Sequence, residues 1–338
     1  MEAQVSGTDA SLEATTPHVA REDVPPAGAA TSPGAWWAPW LVAPAALLLY
    51  LLGSAIGSVL ALVLLATVLR RLIPGYYDMG LNLYTLRFAL GIPAVLTLFI
   101  ALSTACTIGV VLLAARASGR PWRERLGLMP GRIPASEVPL LVLASLGTLC
   151  IGWLLAMALQ HAGLLPPIGR SRQQFGEALL MASPATKVAF VLSAGLLAGL
   201  SEELLCRGWM QRALMARWRP AASISVASVT FALLHGDLAY DVLVLPSAFF
   251  LGYLAWRADS IRPTIACHAV VNALVLTSLA VFGLRHVVFM QRVFEPGTGG
   301  QAPPARVALA LAVPLIVSVA LVWTASRRVE RHARAVGA

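Results

Sequence analysis

The sequence predicts an all-α fold, a polytopic transmembrane bundle of about eight helical spans. Of the 338 residues, 58% are hydrophobic and only 12% are charged, whereas a soluble domain carries about 25% charged residues. The hydrophobic residues are collected into runs that approach or exceed the roughly 20 residues needed to cross a bilayer as a helix. Short Arg-rich segments separate these runs. The chain is therefore expected to be an integral membrane protein surrounded by the lipid bilayer.

The chain divides into four predicted segments. Residues 1–35 are rich in Ala, Pro, Ser and Thr and lack an apolar stretch after a basic start, which predicts a disordered polar N-terminal tail. Residues 36–186 are predicted to hold the N-terminal transmembrane helices, with a cytoplasmic interfacial helix near 121–129. Residues 187–283 form a core of four spans. Residues 284–338 are predicted to be a loop, a last transmembrane helix and a basic C-terminal tail.

Eight apolar runs account for the spans. In the first, Gly53 and Gly57 are four residues apart, which predicts close packing against another helix. In the interfacial helix, Trp122, Leu126 and Leu128 are expected to face lipid. The approximate bounds of the runs, in chain order, are 41–69, 88–115, 138–159, 187–210, 220–235, 242–256, 264–282 and 307–323.

The distribution of basic residues predicts the orientation. If the N-terminus is inside, 16 of the 25 Arg and Lys residues fall on inner segments and 9 on outer segments. Because basic residues accumulate on the cytoplasmic side, both termini are expected to be cytoplasmic. No basic patch is interleaved with aromatic residues in a soluble segment, so no nucleic-acid partner is expected. The preference for Arg over Lys suggests a bacterial source, and hence the inner (plasma) membrane.

The four cysteines are predicted to be small apolar residues of the bundle. They form no CxxC pair, and each lies inside an apolar run, so neither a disulfide nor a cysteine zinc site is expected. A cysteine nucleophile is not favoured either, because the one cysteine beside a histidine is its direct neighbour and does not share its helix face. These cysteines are Cys106, Cys150, Cys206 and Cys267.

Two adjacent acidic residues, Glu202 and Glu203, follow an uncharged apolar run at 188–200. An ionisable side chain at membrane depth is costly unless it is paired or faces a polar cavity. In a helix, Glu203 and Arg207 are one turn apart and can pair. Glu202 points about 100° away from that pair. The spacing therefore predicts one carboxylate held by Arg207 and one carboxylate available for chemistry.

Two histidines occur in the spans that follow the glutamates. His268 and Asn272 are one helical turn apart and share a face, as do Phe231 and His235. The concentration of these side chains on three of four successive spans indicates one site. The depths of the two histidines differ, since His235 lies about 22 Å and His268 about 8 Å along their spans at helical rise. The remaining histidines fall in tails, a loop or a helix end, and are His18, His161, His286 and His332.

This pattern resembles a known family of membrane proteases. The CPBP family of intramembrane proteases, which contains CAAX proteases and bacteriocin-processing enzymes and includes the Ras-converting CAAX prenyl endopeptidase, carries three motifs in this order. They correspond here to Glu202-Glu203-x-x-x-Arg207, Phe231-x-x-x-His235 and His268-x-x-x-Asn272. The resemblance covers about 187–283. It implies a glutamic-type endopeptidase that hydrolyses a peptide bond of a membrane-associated protein or peptide without a metal or cofactor.

The resemblance also implies a role for each motif residue. Glu202 and His235 would activate water, and His268 with Asn272 would form the oxyanion hole. Such a division is chemically reasonable because a poorly hydrated carboxylate is an effective general base. Oxyanion donors contribute about 3–4 kcal/mol in other enzymes. The supporting residues would be Glu203, Arg207 and, as a packing residue, Phe231.

Three other functions stay open at this point. A metal-dependent membrane protease would use Glu and His as zinc ligands, although the chain has no HExxH motif. A non-catalytic membrane immunity or scaffold protein would retain the motifs for structure alone. A transporter would use buried acids and histidines for proton coupling, but no inverted repeat is visible. The substrate and its cleavage sequence do not follow from the residues.

Overall fold

The computed structural model describes residues 38–72, 92–118, 121–167, 169–282 and 304–335. All regular structure in these ranges is helical. The helices, numbered here in chain order, are α1 (Val42–Leu72), α2 (Pro93–Arg116), α3 (Trp122–Arg125), α4 (Val138–His161), α5 (Arg170–Leu180), α6 (Pro184–Met215), α7 (Pro220–Leu233), α8 (Leu238–Ala258), α9 (Arg262–Phe282) and α10 (Pro304–Ala335).

The predicted all-α membrane bundle is confirmed. Seven of the described helices are long and apolar enough to cross a membrane, namely α1, α2, α4, α6, α8, α9 and α10. The apolar helix α7 corresponds to the fifth predicted span but has only 14 residues. At 1.5 Å per residue it is about 21 Å long, shorter than the roughly 30 Å of hydrocarbon in a bilayer.

Helices α1 and α2 pack along each other at one side of the bundle. An added Cβ at Gly53 would meet the backbone of Thr107, and one at Gly57 would meet the backbone of Ser103. The two helices therefore approach so closely that only a residue without a side chain fits at these positions. This contact confirms the packing face predicted from the spacing of the two glycines.

The basic C-terminal segment continues as a helix well beyond the predicted end of the last span. Helix α10 packs along α4 and reaches Ala335. Its Glu330 accepts a hydrogen bond from Tyr253 Oη at 2.6 Å and forms an ion pair with Arg257. Glu137 lies 3.1 Å from His332 Nε2 and also pairs with Arg328. These charged contacts connect the extension to α8 and to the start of α4.

The segment 121–133 differs from its prediction as a lipid-facing interfacial helix. Only Trp122–Arg125 is helical, and Leu126 is 0% exposed within the main core of the bundle. The prediction that Leu126 faces lipid is therefore wrong. Trp122 and Leu128 are partly buried against the same core. The apolar side chains of the segment 121–133 face inward because this segment packs against the ends of the core helices.

Hydrogen bonds join the segment 121–133 to the turn between α8 and α9. The Ile261 N–H donates to Gly127 O at 2.9 Å, and the Arg132 N–H donates to Ala258 O at 2.9 Å. The side chain of Arg262 donates from Nε to Leu128 O at 2.7 Å. Since α9 begins at Arg262, these bonds hold the first turn of the helix that carries His268.

The other expectations fall partly outside the described residues. The predicted disordered tail at 1–35 lies there, as does most of the predicted loop from 284 onward. Helix α5 lies between the third and fourth predicted spans, and its Leu179 is buried with Phe190 and Ala280. The four cysteines are free, and Cys206 and Cys267 are buried.

Candidate active site

Helix α6 carries the two glutamates between two stretches of π-helix, Val191–Leu197 and Leu204–Gln211. Between them lies an α-helical stretch, Ala198–Glu203. A π-helical turn holds more residues than an α-turn, so it changes which side chains face a neighbouring helix, and such turns are frequent at functional sites. The irregular helix therefore sets the directions of Glu202 and Glu203.

Small residues on α6 allow α9 to come close to the glutamates. An added Cβ at Gly199 would lie 3.0 Å from Ala269 N, and one at Gly195 would lie 3.3 Å from Ala273 Cα. Both distances are tighter than ordinary van der Waals contact. Because the backbones approach at these glycines, His268 on α9 lies beside Glu203 on α6.

Glu203 is a fully buried carboxylate with two polar partners on one oxygen. Its Oε1 accepts from Arg207 Nη1 at 2.8 Å and from His268 Nδ1 at 2.9 Å. The predicted pair of Glu203 with Arg207 is present, and both side chains are 0% exposed. A buried carboxylate needs such partners because an unpaired charge is strongly destabilising in the interior.

Arg207 connects this carboxylate to the rest of the core. Its Nη2 donates to Ala248 O on α8 at 3.0 Å. Its guanidinium carbon lies 4.6 Å from the centre of the Phe231 ring. Phe231 also packs against His235 and His268, with ring centres 5.1 and 5.7 Å apart. The aromatic ring therefore separates the two histidines and covers the arginine.

His268 contacts both glutamates. Its Nδ1–H donates to Glu203, which orients the ring, and its Nε2 lies 3.5 Å from Glu202 Oε2. This arrangement was not predicted from the sequence, since residue spacing along α9 carries no information about its register against α6. Asn272, one turn further along α9, is partly buried and makes no side-chain hydrogen bond within the described residues.

Glu202 and His235 line one small cavity of about 30 Å³ together with Tyr50, Phe231 and Leu234. A cavity of this size with polar walls can hold a water molecule. The side chain of Glu202 is 26% exposed, in contrast to its buried neighbour. The two predicted water-activating residues are therefore close together in the structure, and Asn272 is not among the residues that line their cavity.

His235 reaches this position because α7 ends before it. The helix stops at Leu233, and Gly236 follows in a left-handed conformation with φ of 65°. The Nδ1–H of His235 donates to Ala232 O at 3.1 Å. A carbonyl oxygen can only accept, so Nδ1 carries a proton.

Tyr50 is the lining residue that sequence reasoning missed. It lies on α1, far along the chain from the three motifs, and belongs to the partly buried residues packed against the main core. No spacing or motif in the sequence relates it to Glu202. Among the described residues, no group of three or more His, Cys, Asp and Glu side chains is arranged to hold a metal ion.

The comparison with family models matches residues 184–274 to the family described as type II CAAX prenyl endopeptidase Rce1-like. The matched region contains α6, α7, α8 and most of α9, with every predicted site residue from Glu202 to Asn272. Comparisons with curated proteins and with solved structures return no match. The described helices make the chain an integral membrane protein. The matched region 184–274 is similar to the CAAX-type membrane proteases of the CPBP family.

Proposed function

We propose that the chain is an intramembrane glutamic-type endopeptidase that cleaves a membrane-associated protein or peptide with water activated by Glu202 and His235. The observation that supports this most directly is the cavity of about 30 Å³, in which a carboxylate from α6 and an imidazole from the end of α7 line space for one water. The hydrogen-bonded network of Glu203, Arg207 and His268 adjoins this cavity through the contact of His268 with Glu202.

The proposed reaction begins with a water molecule in this cavity. Glu202 takes a proton from the water while Nε2 of His235 orients it, and the water oxygen bonds to the carbonyl carbon of the scissile peptide. The carbonyl π electrons move to the oxygen, which becomes an oxyanion. When the carbon–nitrogen bond breaks, the proton held by Glu202 passes to the leaving amine. The products are a carboxylate and a new amino terminus.

The oxyanion would be stabilised from α9. His268 would donate to the oxyanion from Nε2, which lies 3.5 Å from Glu202, while its Nδ1 stays bonded to Glu203 at 2.9 Å. The side-chain amide of Asn272 is the second proposed donor, and it would meet the oxyanion once the substrate is bound. Glu203 and Arg207 act as positioning residues, because they hold His268 and touch no reacting atom.

Tyr50 would contribute a phenolic O–H to the same cavity from outside the region matched by the family model. Its hydroxyl can donate to the water or to the oxyanion. We therefore expect that catalysis depends on α1 as well as on 184–274.

The test of the proposed function is a comparison of the membrane proteome of cells that express the wild type or the Glu202→Gln variant. Uncleaved precursors should accumulate only with Glu202→Gln. The matched control is Glu177→Gln, which makes the same chemical change at an exposed position on α5. Identical precursor levels in all three strains, at equal amounts of protein, would contradict proteolysis by this site.

We further propose that the reaction needs no bound metal. The Oε1 atom of Glu203 and the Nδ1 atom of His268 are already paired with each other at 2.9 Å, so these two atoms are poorly available as metal ligands. Purified protein treated with a chelator should cleave the accumulated precursor at the untreated rate. Loss of cleavage that zinc restores would favour a metal-dependent protease instead.

A further inference from the structure

Two guanidinium groups share one indole ring at the end of α2. The Cζ atom of Arg116, the last residue of α2, lies 5.4 Å from the ring centre of Trp122. The Cζ atom of Arg123 lies 5.3 Å from the same centre. Each contact is within the range of a cation–π interaction. The ring therefore brings together two positive charges that would otherwise repel each other.

No carboxylate of the described residues neutralises either of these charges. Arg116 and Arg123 are exposed, and within the described ranges neither forms an ion pair, not even with the adjacent Glu124. One other arginine that lies over a tryptophan differs in this respect. Arg257, which also lies over a tryptophan, is paired with Glu330. The two guanidinium groups on Trp122 thus have hydrogen-bond donors and positive charge available for an anion.

The position of Arg116, Trp122 and Arg123 in the molecule indicates which kind of anion they would bind. Arg116 ends a helix that can cross the membrane, and tryptophan is typical of the level of the lipid headgroups. Phosphate is the strong acceptor at that level, and a guanidinium binds it through two parallel N–H groups. One turn earlier on the same face of α2, Leu113 is 65% exposed and offers an apolar surface for an acyl chain.

We propose that Arg116, Trp122 and Arg123 form a binding site for the headgroup of an anionic phospholipid. This site lies outside 184–274 and does not rest on the proposed catalytic chemistry. It does lie on the segment 121–133, which is hydrogen-bonded to the first turn of α9. A lipid bound there is attached, through that segment, to the helix that carries His268.

The site can be tested by lipid binding to the purified full-length protein in a neutral detergent. Binding of dioctanoyl phosphatidylglycerol is titrated by microscale thermophoresis, and bound lipid is counted by native mass spectrometry. The test variant is Arg116→Gln/Arg123→Gln. The matched control is Arg327→Gln/Arg331→Gln, which removes the same charge from exposed positions on α10, where Arg327 lies alone over Trp323.

We expect the Arg116→Gln/Arg123→Gln variant to bind phosphatidylglycerol about 25-fold more weakly, since each basic residue near an anionic membrane surface contributes about 1 kcal/mol. The control should change binding by less than about 2-fold, because among the described residues Arg327 shares Trp323 with no second arginine. If the glutamine variant does not purify as a folded protein, Arg116→Lys/Arg123→Lys keeps the charge and should still weaken binding several-fold through loss of the guanidinium forks.

Three results would overturn the proposal. Equal weakening in the test and control variants would mean that only net charge matters. Equal affinity for dioctanoyl phosphatidylcholine would mean that the site does not select an anionic headgroup. Displacement of the lipid by an equal concentration of inorganic phosphate would identify a site for free anions instead of a lipid site.

Discussion

At the scale of single residues, the two adjacent glutamates have different surroundings, and this predicts different consequences of losing them. Glu202→Gln keeps the shape of the side chain and removes the proposed base, so turnover of a precursor should fall by about 10²- to 10⁴-fold with little change in thermal stability. Kinetics of precursor cleavage and thermal unfolding in detergent check both statements. Activity that survives Glu202→Gln but is lost in Glu203→Gln at normal stability would reverse the two roles.

Arg207 provides a second prediction at this scale. Arg207→Ala leaves Glu203 with only one of its two partners, and breaking a buried pair costs about 3–5 kcal/mol. The variant should therefore unfold at a lower temperature and be less active. The double variant Glu203→Gln/Arg207→Gln should be more stable than Arg207→Ala, because no lone buried charge remains. A double variant less stable than Arg207→Ala would contradict this account.

The contacts around Glu203 also show how much of the site follows from the sequence. Its pair with Arg207 lies within one helix, where a spacing of four residues is sufficient to predict it. Its hydrogen bond with His268 joins two helices, and the register between them depends on contacts such as that of Gly199 with Ala269. Periodicity along one helix contains no such information, which is also why Tyr50 was not predicted.

At the scale of elements, the close approach of α6 and α9 at Gly199 should be required for both stability and activity. Gly199→Val would push against backbone atoms of α9, so it should destabilise the fold by about 1–3 kcal/mol and reduce cleavage. Gly109→Val is the matched control on α2, where an added Cβ meets no atom within 4 Å. Equal stability of the two variants in thermal unfolding would show that the contact is not limiting.

Element boundaries were predicted less well than element types. The apolar runs predict the crossing helices because composition alone distinguishes them, but the two π-helical stretches of α6 leave no signal in an apolar run. Leu126 was assigned to lipid on the basis of its local amphipathic pattern. The structure buries it because the segment 121–133 folds under the core helices, a contact between residues far apart in the chain.

At the scale of the whole molecule, the number of spans predicts the sides on which the chain segments lie. When the short α7 is counted with the seven longer helices, eight crossings return the chain to the side where it began. We expect both termini to be cytoplasmic, with the segment between α9 and α10 on the opposite side. Reporter fusions at Ala338 and between residues 297 and 300 should therefore report opposite compartments. Reports from the same compartment would contradict a full crossing by α10 and the proposed orientation.

The short helix α7 has a consequence for the surrounding lipid. With a length of about 21 Å against about 30 Å of hydrocarbon, it is roughly 9 Å shorter than the layer that a full crossing requires. A backbone without hydrogen-bonding partners is not tolerated in lipid, so the bilayer beside α7 has to thin or admit water there. We expect such hydrophobic mismatch to bring water closer to the end of α7, where His235 lines the same cavity as Glu202. A membrane protease receives water, its second reactant, most easily where the hydrocarbon layer beside it is thinnest.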